Sequence, residues 1–317
     1  MKLIKIAFFV VLSMMYSCNS KTSEAPLVIF HAGSLSQPLQ KLAAAYQEIN
    51  PTQQFRMEPA GSLNTIRKVT DLKREADLIA SADFRLIDEM LIPDYTTINI
   101  AFASNSMVLA YNESSKKSNE ISTDNWIDIL SDETIRIGAS DPNSDPCGYR
   151  TRLSLQLAGK MNGIKQLDEQ LLRGSRYHER PKETDLIALL ETHTIDYFFI
   201  YESVAKQHGL SYLSFPDSIN LSNVDLNDWY KNASIRVRGA SPGESIQING
   251  EAIIYGLTVL QNSSNTAAAW DFVAFILDPA LGGEILMQSG QKPIYPAKIN
   301  TQQAVPEAIR NKTILLN

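Results

Sequence analysis

Leu27-Val28-Ile29-Phe30-His31-Ala32-Gly33-Ser34-Leu35 decides the architecture. A short apolar run, too brief for a helix, stops at a glycine and a serine. Leu35, Leu39, Leu42, Ala43, Tyr46 and Ile49 then recur at helical spacing until Pro51 closes the unit. The pattern repeats at once. Phe55 to Glu58 reads as a strand, Ala60-Gly61-Ser62-Leu63 opens a helical stretch to about Lys73, Asp77 to Ala80 is a third strand, and a helix begins near Asp83. Strand and helix in this alternation predict an α/β fold with a mostly parallel sheet covered by helices.

Farther along, strands are expected at Met107–Tyr111, Ile135–Gly138, Ile195–Ile200 and Ile253–Leu260. Helices are expected at Trp126–Leu130, from about Tyr149 to Lys160, at Leu186–Glu191, through Trp270, Val273 and Ile276, and around Ile285. No repeat period and no low-complexity linker separates them. The expected architecture is two α/β lobes, with the chain crossing near Asn105 and again near Ile248. Residues 26–104 and 249–317 then make a discontinuous first lobe, and residues 105–248 the second.

The first residues describe an export signal. Lys2 and Lys5 precede the apolar run Ile6–Met15, and Tyr16-Ser17-Cys18 follows. This run is short for a membrane span and suits a secretory signal over residues 1–17. Cys18 behind Ser17 resembles a bacterial lipobox, in which the cysteine is acylated; an ordinary signal with an incidental cysteine is the other reading. Residues 18–25 are polar and read as a tether. The protein is then exported, periplasmic and anchored to a membrane by lipidated Cys18. Cys147 is the second of two cysteines, so no disulfide is expected. The formal net charge is −6, and removing the signal takes two lysines with it. Such an acidic surface argues against nucleic acid, and an anion bound here must be held by local donors.

Ala-Gly-Ser-Leu occurs twice, at Ala32–Leu35 and Ala60–Leu63, each time where a strand meets a helix. The unpaired N–H groups and partial positive charge of a helix N-terminus can hold an anion, and the serine adds a hydroxyl. Equally, Ser34 and Ser62 could cap their own helices. Asp145-Pro146 starts a third helix as N-cap and first residue. Glu183 taken singly reads as an acid at a helix start, and Tyr201 as core. Gly-x-Ser-x-Gly, the Walker loop, His-Glu-x-x-His and paired Cys-x-x-Cys are absent, and His31, His178, His193 and His208 lack metal-ligand spacing.

Taken together, Phe30–Leu35, Ala60–Ser62, Ala76–Asp83, Ser140–Asn143 with Asp145-Pro146-Cys147-Gly148-Tyr149-Arg150, and Tyr201–Gly209 resemble the tungstate/molybdate-binding proteins of ABC importers, in the branch first known from archaea. The resemblance runs from about Val28 to Ala297. It implies a type II periplasmic-binding-protein fold, with two lobes on a hinge of two crossovers closing on an oxyanion. It implies Ser34, the Leu35 N–H and Ser62 as donors from the first lobe. From the second come Asp145 and Pro146 at the helix start, the Cys147 N–H, Glu183 and Tyr201. In that branch two carboxylates reach the metal of the oxyanion itself, and here they fall on Asp145 and Glu183. The stretch before Glu183 is shorter than in the archaeal members, so Glu183 is placed by its context Arg180–Leu186, with Asp185 as the alternative.

A carboxylate beside a dianion is repulsive unless it contacts something positive. The metal of molybdate or tungstate is a hard centre that can accept two further oxygens, whereas the sulfur of sulfate cannot. The same two carboxylates would admit the first pair and repel the third. The resemblance further implies an ABC permease as partner, a monomer, no cofactor and no enzymatic activity. Rival readings are a binder of sulfate, ferric ion or a small organic acid and, more distantly, a hydrolase using Asp145 and Glu183 as an acid–base pair.

Overall fold

The computed structural model describes residues 25–239 and 243–316. The export signal, Cys18 and all of the tether but Ala25 lie outside the described residues. Strands follow one another as β1 (Leu27–Ala32), β2 (Phe55–Ala60), β3 (Leu78–Ser81), β4 (Ile100–Ser104), β5 (Met107–Tyr111), β6 (Ile137–Ser140), β7 (Tyr177–Arg180), β8 (Tyr197–Tyr201), β9 (Ser211–Ser214), β10 (Ser234–Arg238), β11 (Ser245–Asn249), β12 (Ile254–Val259), β13 (Lys292–Ile299) and β14 (Thr313–Leu315).

They form two main sheets, one to a lobe. The first has the order β14-β13-β4-β12-β3-β1-β2 and the second β7-β6-β8-β5-β9, while β10 and β11 make a separate antiparallel hairpin. The expected parallel core is present, because β1 pairs in parallel with β2 and β3. The sheets as wholes are mixed, which corrects the expectation of a mostly parallel one. In the first sheet, β12 is antiparallel to both β3 and β4. The reason is the hinge. The chain leaves this lobe from the end of β4, and it returns at the start of β12, where Ile254 pairs with Ser104. Neighbouring strands that carry exit and return must run in opposite directions.

The apolar stripe packs the helix Ser36–Ile49 onto the first sheet through Leu39, Leu42 and Tyr46, all buried. Tyr46 meets Phe55, Phe272 and Phe275 edge-on, joining this helix to β2 and to the helix Thr266–Ile276. Ile49, expected in the stripe, is instead 63% exposed at the helix end. Every residue of β8 is buried, and the helix Pro146–Met161 is buried along most of its length between the second sheet and neighbouring helices. No helix among the described residues is long and apolar enough to cross a membrane.

Candidate anion site between the lobes

Five chain segments bring the expected residues to one place, and each leaves the carboxyl end of a strand. Gly33–Leu35 form a 3-10 turn after β1, and the helix Ser62–Thr70 follows β2. The helix Pro146–Met161 follows β6, Glu183 follows β7 ahead of the helix Asp185–Glu191, and Tyr201 ends β8. Open α/β sheets bind ligands at such ends.

Neither serine caps its own helix. Ala32 and Gly61 hold the cap positions, without side-chain capping bonds. Ser62 Oγ instead accepts the Ala82 N–H at 2.9 Å, and Ser34 Oγ accepts the Tyr255 hydroxyl at 3.1 Å. Asp145 does cap its helix: Oδ1 accepts the Cys147 N–H at 3.2 Å, and Pro146 occupies the first turn. Its Oδ2 accepts the Glu183 N–H at 2.9 Å, so one carboxylate joins two of the proposed ligand segments. Cys147 is a buried free thiol whose Sγ lies 3.7 Å from the Phe199 carbonyl.

Glu183 does not serve as a first-turn acid. Thr184 holds the cap position of the following helix, without a side-chain capping bond, and the Glu183 side chain is buried. Both its carboxylate oxygens are buried and receive no donor among the described residues, so the carboxyl's hydrogen-bond partner is Asp145, toward which it holds its proton. Burial first, and the neighbouring Asp145 next, push the Glu183 carboxyl well above the usual range. Burial also raises Asp145, against the hydrogen bonds it accepts. Asp185, the alternative, lies in the helix's first turn, half exposed and paired with Lys182 at 3.1 Å. The structure therefore sets Glu183, not Asp185, beside Asp145. Two buried carboxyls with so few donors are costly unless a proton or a cationic centre stands between them.

Backbone meets backbone across the lobes. A Cβ on Gly61 would stand 2.2 Å from the Ser144 carbonyl oxygen, and one on Gly33 would stand 2.7 Å from Lys182 Cγ and 3.0 Å from Glu183 Oε2. Further groups tie the lobes together, and sequence reading had not singled them out. Asp83, after β3, accepts the Tyr149 hydroxyl at 2.6 Å and pairs with Arg150 at 3.3 Å. Burial alone would raise the Asp83 carboxyl, but Arg85, Arg150 and the Tyr149 hydroxyl hold it below the usual range. Arg150 also donates to the Ala82 carbonyl and, at 2.9 Å, to the Tyr201 hydroxyl. Arg67 reaches from the first lobe to the carbonyls of Asn143, Arg238 and Gly239. Asp83 and Arg150 stood within motifs already noted. Arg67 and Tyr255 carried no local signal, because their partners are more than 70 residues away.

The fold and the sequence both have known counterparts. The periplasmic molybdate-binding protein of Azotobacter vinelandii superposes with a TM-score of 0.58 over 84% of this chain and 98% of its own, at 16% identity, which establishes the fold. The molybdate/tungstate-binding protein WtpA of Thermococcus kodakarensis is 39% identical over 308 residues, covering 88% of this chain and 85% of that protein. An uncharacterized solute-binding protein of Petrotoga mobilis is 43% identical over 283 residues, 89% of this chain and 88% of its own. The family model described as bacterial extracellular solute-binding protein matches residues 27–291. With that match spanning most of a two-lobed chain, this protein belongs to the bacterial extracellular solute-binding protein family.

Proposed function

We propose that this protein is the substrate-binding component of an ABC importer, that it takes molybdate or tungstate between its lobes, and that it hands the anion to a membrane permease. The observation that carries this reading is the pair Asp145 and Glu183. They are two buried carboxyls side by side, one with no donor to its oxygens, at the meeting point of the strand ends. As ionised carboxylates they would repel sulfate. A molybdenum or tungsten centre can take both as additional oxygen ligands. Ser34, the Leu35 N–H, Ser62, the Cys147 N–H and Tyr201 would hold the oxyanion's own oxygens, with Pro146 shaping the helix start. The name borne by the Thermococcus relative supports the same ligand.

In this reading residues 26–104 with 249–317, and residues 105–248, are the bodies that open and close. The protein acts as a monomer, and lipidated Cys18 anchors it after export. Calorimetric titration with molybdate, tungstate and sulfate tests the reading on the wild type and on Asp145→Ala and Glu183→Ala. Loss of a charged contact is worth about 1.5–3 kcal/mol, or about 10–150-fold in molybdate affinity. Sulfate binding should hold or improve, since a negative charge facing it is gone. An unchanged molybdate-to-sulfate ratio in both variants would reduce the carboxyls to structural groups and refute the ligand assignment.

A further inference from the structure

A hydroxyl carries one proton, so when a fixed donor occupies its oxygen the proton must turn elsewhere. Each hydroxyl of the proposed anion site is in this situation. Ser62 Oγ receives the Ala82 N–H, Tyr201 Oη receives Arg150, and Ser34 Oγ receives Tyr255. None of the three has an acceptor for its own proton among the described residues. For the first two the donor is a backbone amide or a guanidinium, neither of which can accept in return. For Ser34 the donor is another hydroxyl, and its direction has to be set from behind.

Asn105 sets it. Asn105 lies at the crossover between β4 and β5, and its Oδ1 accepts the backbone N–H groups of Ser106 at 3.0 Å and Ser203 at 3.3 Å. These two donors determine which end of the amide is oxygen. Its Nδ2 must then donate, and it does so to Ser203 Oγ at 2.7 Å and to Tyr255 Oη at 2.9 Å. With Asn105 on its oxygen, Tyr255 gives its single proton to Ser34, 3.1 Å away. Asn105, Tyr255 and Ser34 are all buried, so water does not scramble the chain. Tyr255 stands in β12 just beyond the second crossover, so both passages between the lobes contribute.

We propose that Asn105 and Tyr255 are positioning residues that hold the Ser34 hydroxyl as a donor aimed at the bound anion. The direction originates in the backbone N–H groups at the hinge and passes through an amide and a phenol to the serine. A Ser34 hydroxyl so directed suits an unprotonated oxyanion oxygen. This rests on the reading of Ser34 as an anion donor given above.

Neutron diffraction from perdeuterated wild-type protein without anion reads the direction itself. The deuteron between Tyr255 and Ser34 should belong to the tyrosine oxygen, and finding it on the serine oxygen would overturn the proposal. Molybdate titrations then test the consequence. In Asn105→Asp the new carboxylate oxygen takes the Tyr255 proton. The Ser34 proton then turns back toward Tyr255, and a lone pair faces the anion. Affinity should fall about tenfold or more, the scale of one hydrogen bond to a charged group. With Tyr255→Phe already in place, Asn105→Asp should cost only the effect of its bare charge and so much less. Equal costs in the two backgrounds would refute the relay. Wild-type protein that binds no molybdate would refute the proposed ligand, and the deuteron position would still decide the direction of the chain.

Discussion

Gly61→Ala separates folding from lobe closure. At Gly61 the backbone has φ −61° and ψ 145°, a region open to every residue, so alanine introduces no strain within the first lobe. Through the unfolded state alone the change should stabilise that lobe by about 0.4–1 kcal/mol. Across the interface the outcome reverses. The added methyl would lie 2.2 Å from the Ser144 carbonyl oxygen, 2.7 Å from its carbon and 2.8 Å from Asp145 Cβ. Ordinary contact begins near 3.4 Å, so the lobes must part by roughly an ångström. The obstructing oxygen is backbone and cannot rotate away. It also accepts the Asn64 N–H at 3.3 Å, so the shift strips a bond that spans the lobes. Overpacking of this kind costs about 1–3 kcal/mol, equivalent to about 5–150-fold in Kd. Calorimetry with molybdate, small-angle scattering with and without anion, and thermal denaturation of the ligand-free protein provide the assay. The expected result is an unchanged or higher melting temperature, weakened binding and reduced compaction. Wild-type affinity with full compaction would show that the lobes do not meet here in the bound form, and would refute the reasoning.

The two raised carboxyls predict that the ligand-free protein loses stability as pH rises. Glu183 in the folded chain holds its proton to higher pH than in the unfolded chain, so the folded state binds more protons, and stability declines above the ordinary carboxylate value of 4.5, by at most about 1.4 kcal/mol per pH unit. Melting temperatures from pH 5 to pH 8 should fall less steeply in Glu183→Gln; parallel curves would mean that Glu183 does not carry the burden assigned to it. Cys18→Ala should move the protein into the soluble fraction, since acyl chains are what anchor a lipoprotein, and retention on membranes in that variant would sink the lipid-anchor proposal.

Local chemistry made much of this protein legible before any tertiary information. The run Leu27–Phe30 ending at Gly33-Ser34, and its echo at Ala60–Leu63, specified strand-to-helix junctions because apolar periodicity and glycine act over a few residues. Asp145-Pro146 marked its helix start for the same reason. The mixed sheet was not legible, because the direction of β12 depends on where the chain returns from the other lobe. Residue type alone likewise left Ser34 and Ser62 undecided between capping and donation. Only the folded chain showed that neither caps its helix, with Tyr255 and the Ala82 N–H arriving at their oxygens instead. Glu183 and Asp185 lie only two residues apart in the chain, and choosing between them needed the burial of one side chain beside Asp145. Arg67, Asp83 and Asn105 act on partners far away in sequence, some in the opposite lobe. Hydrogen bonds and ion pairs depend on distances of a few ångströms, and for such pairs only the folded chain sets those distances.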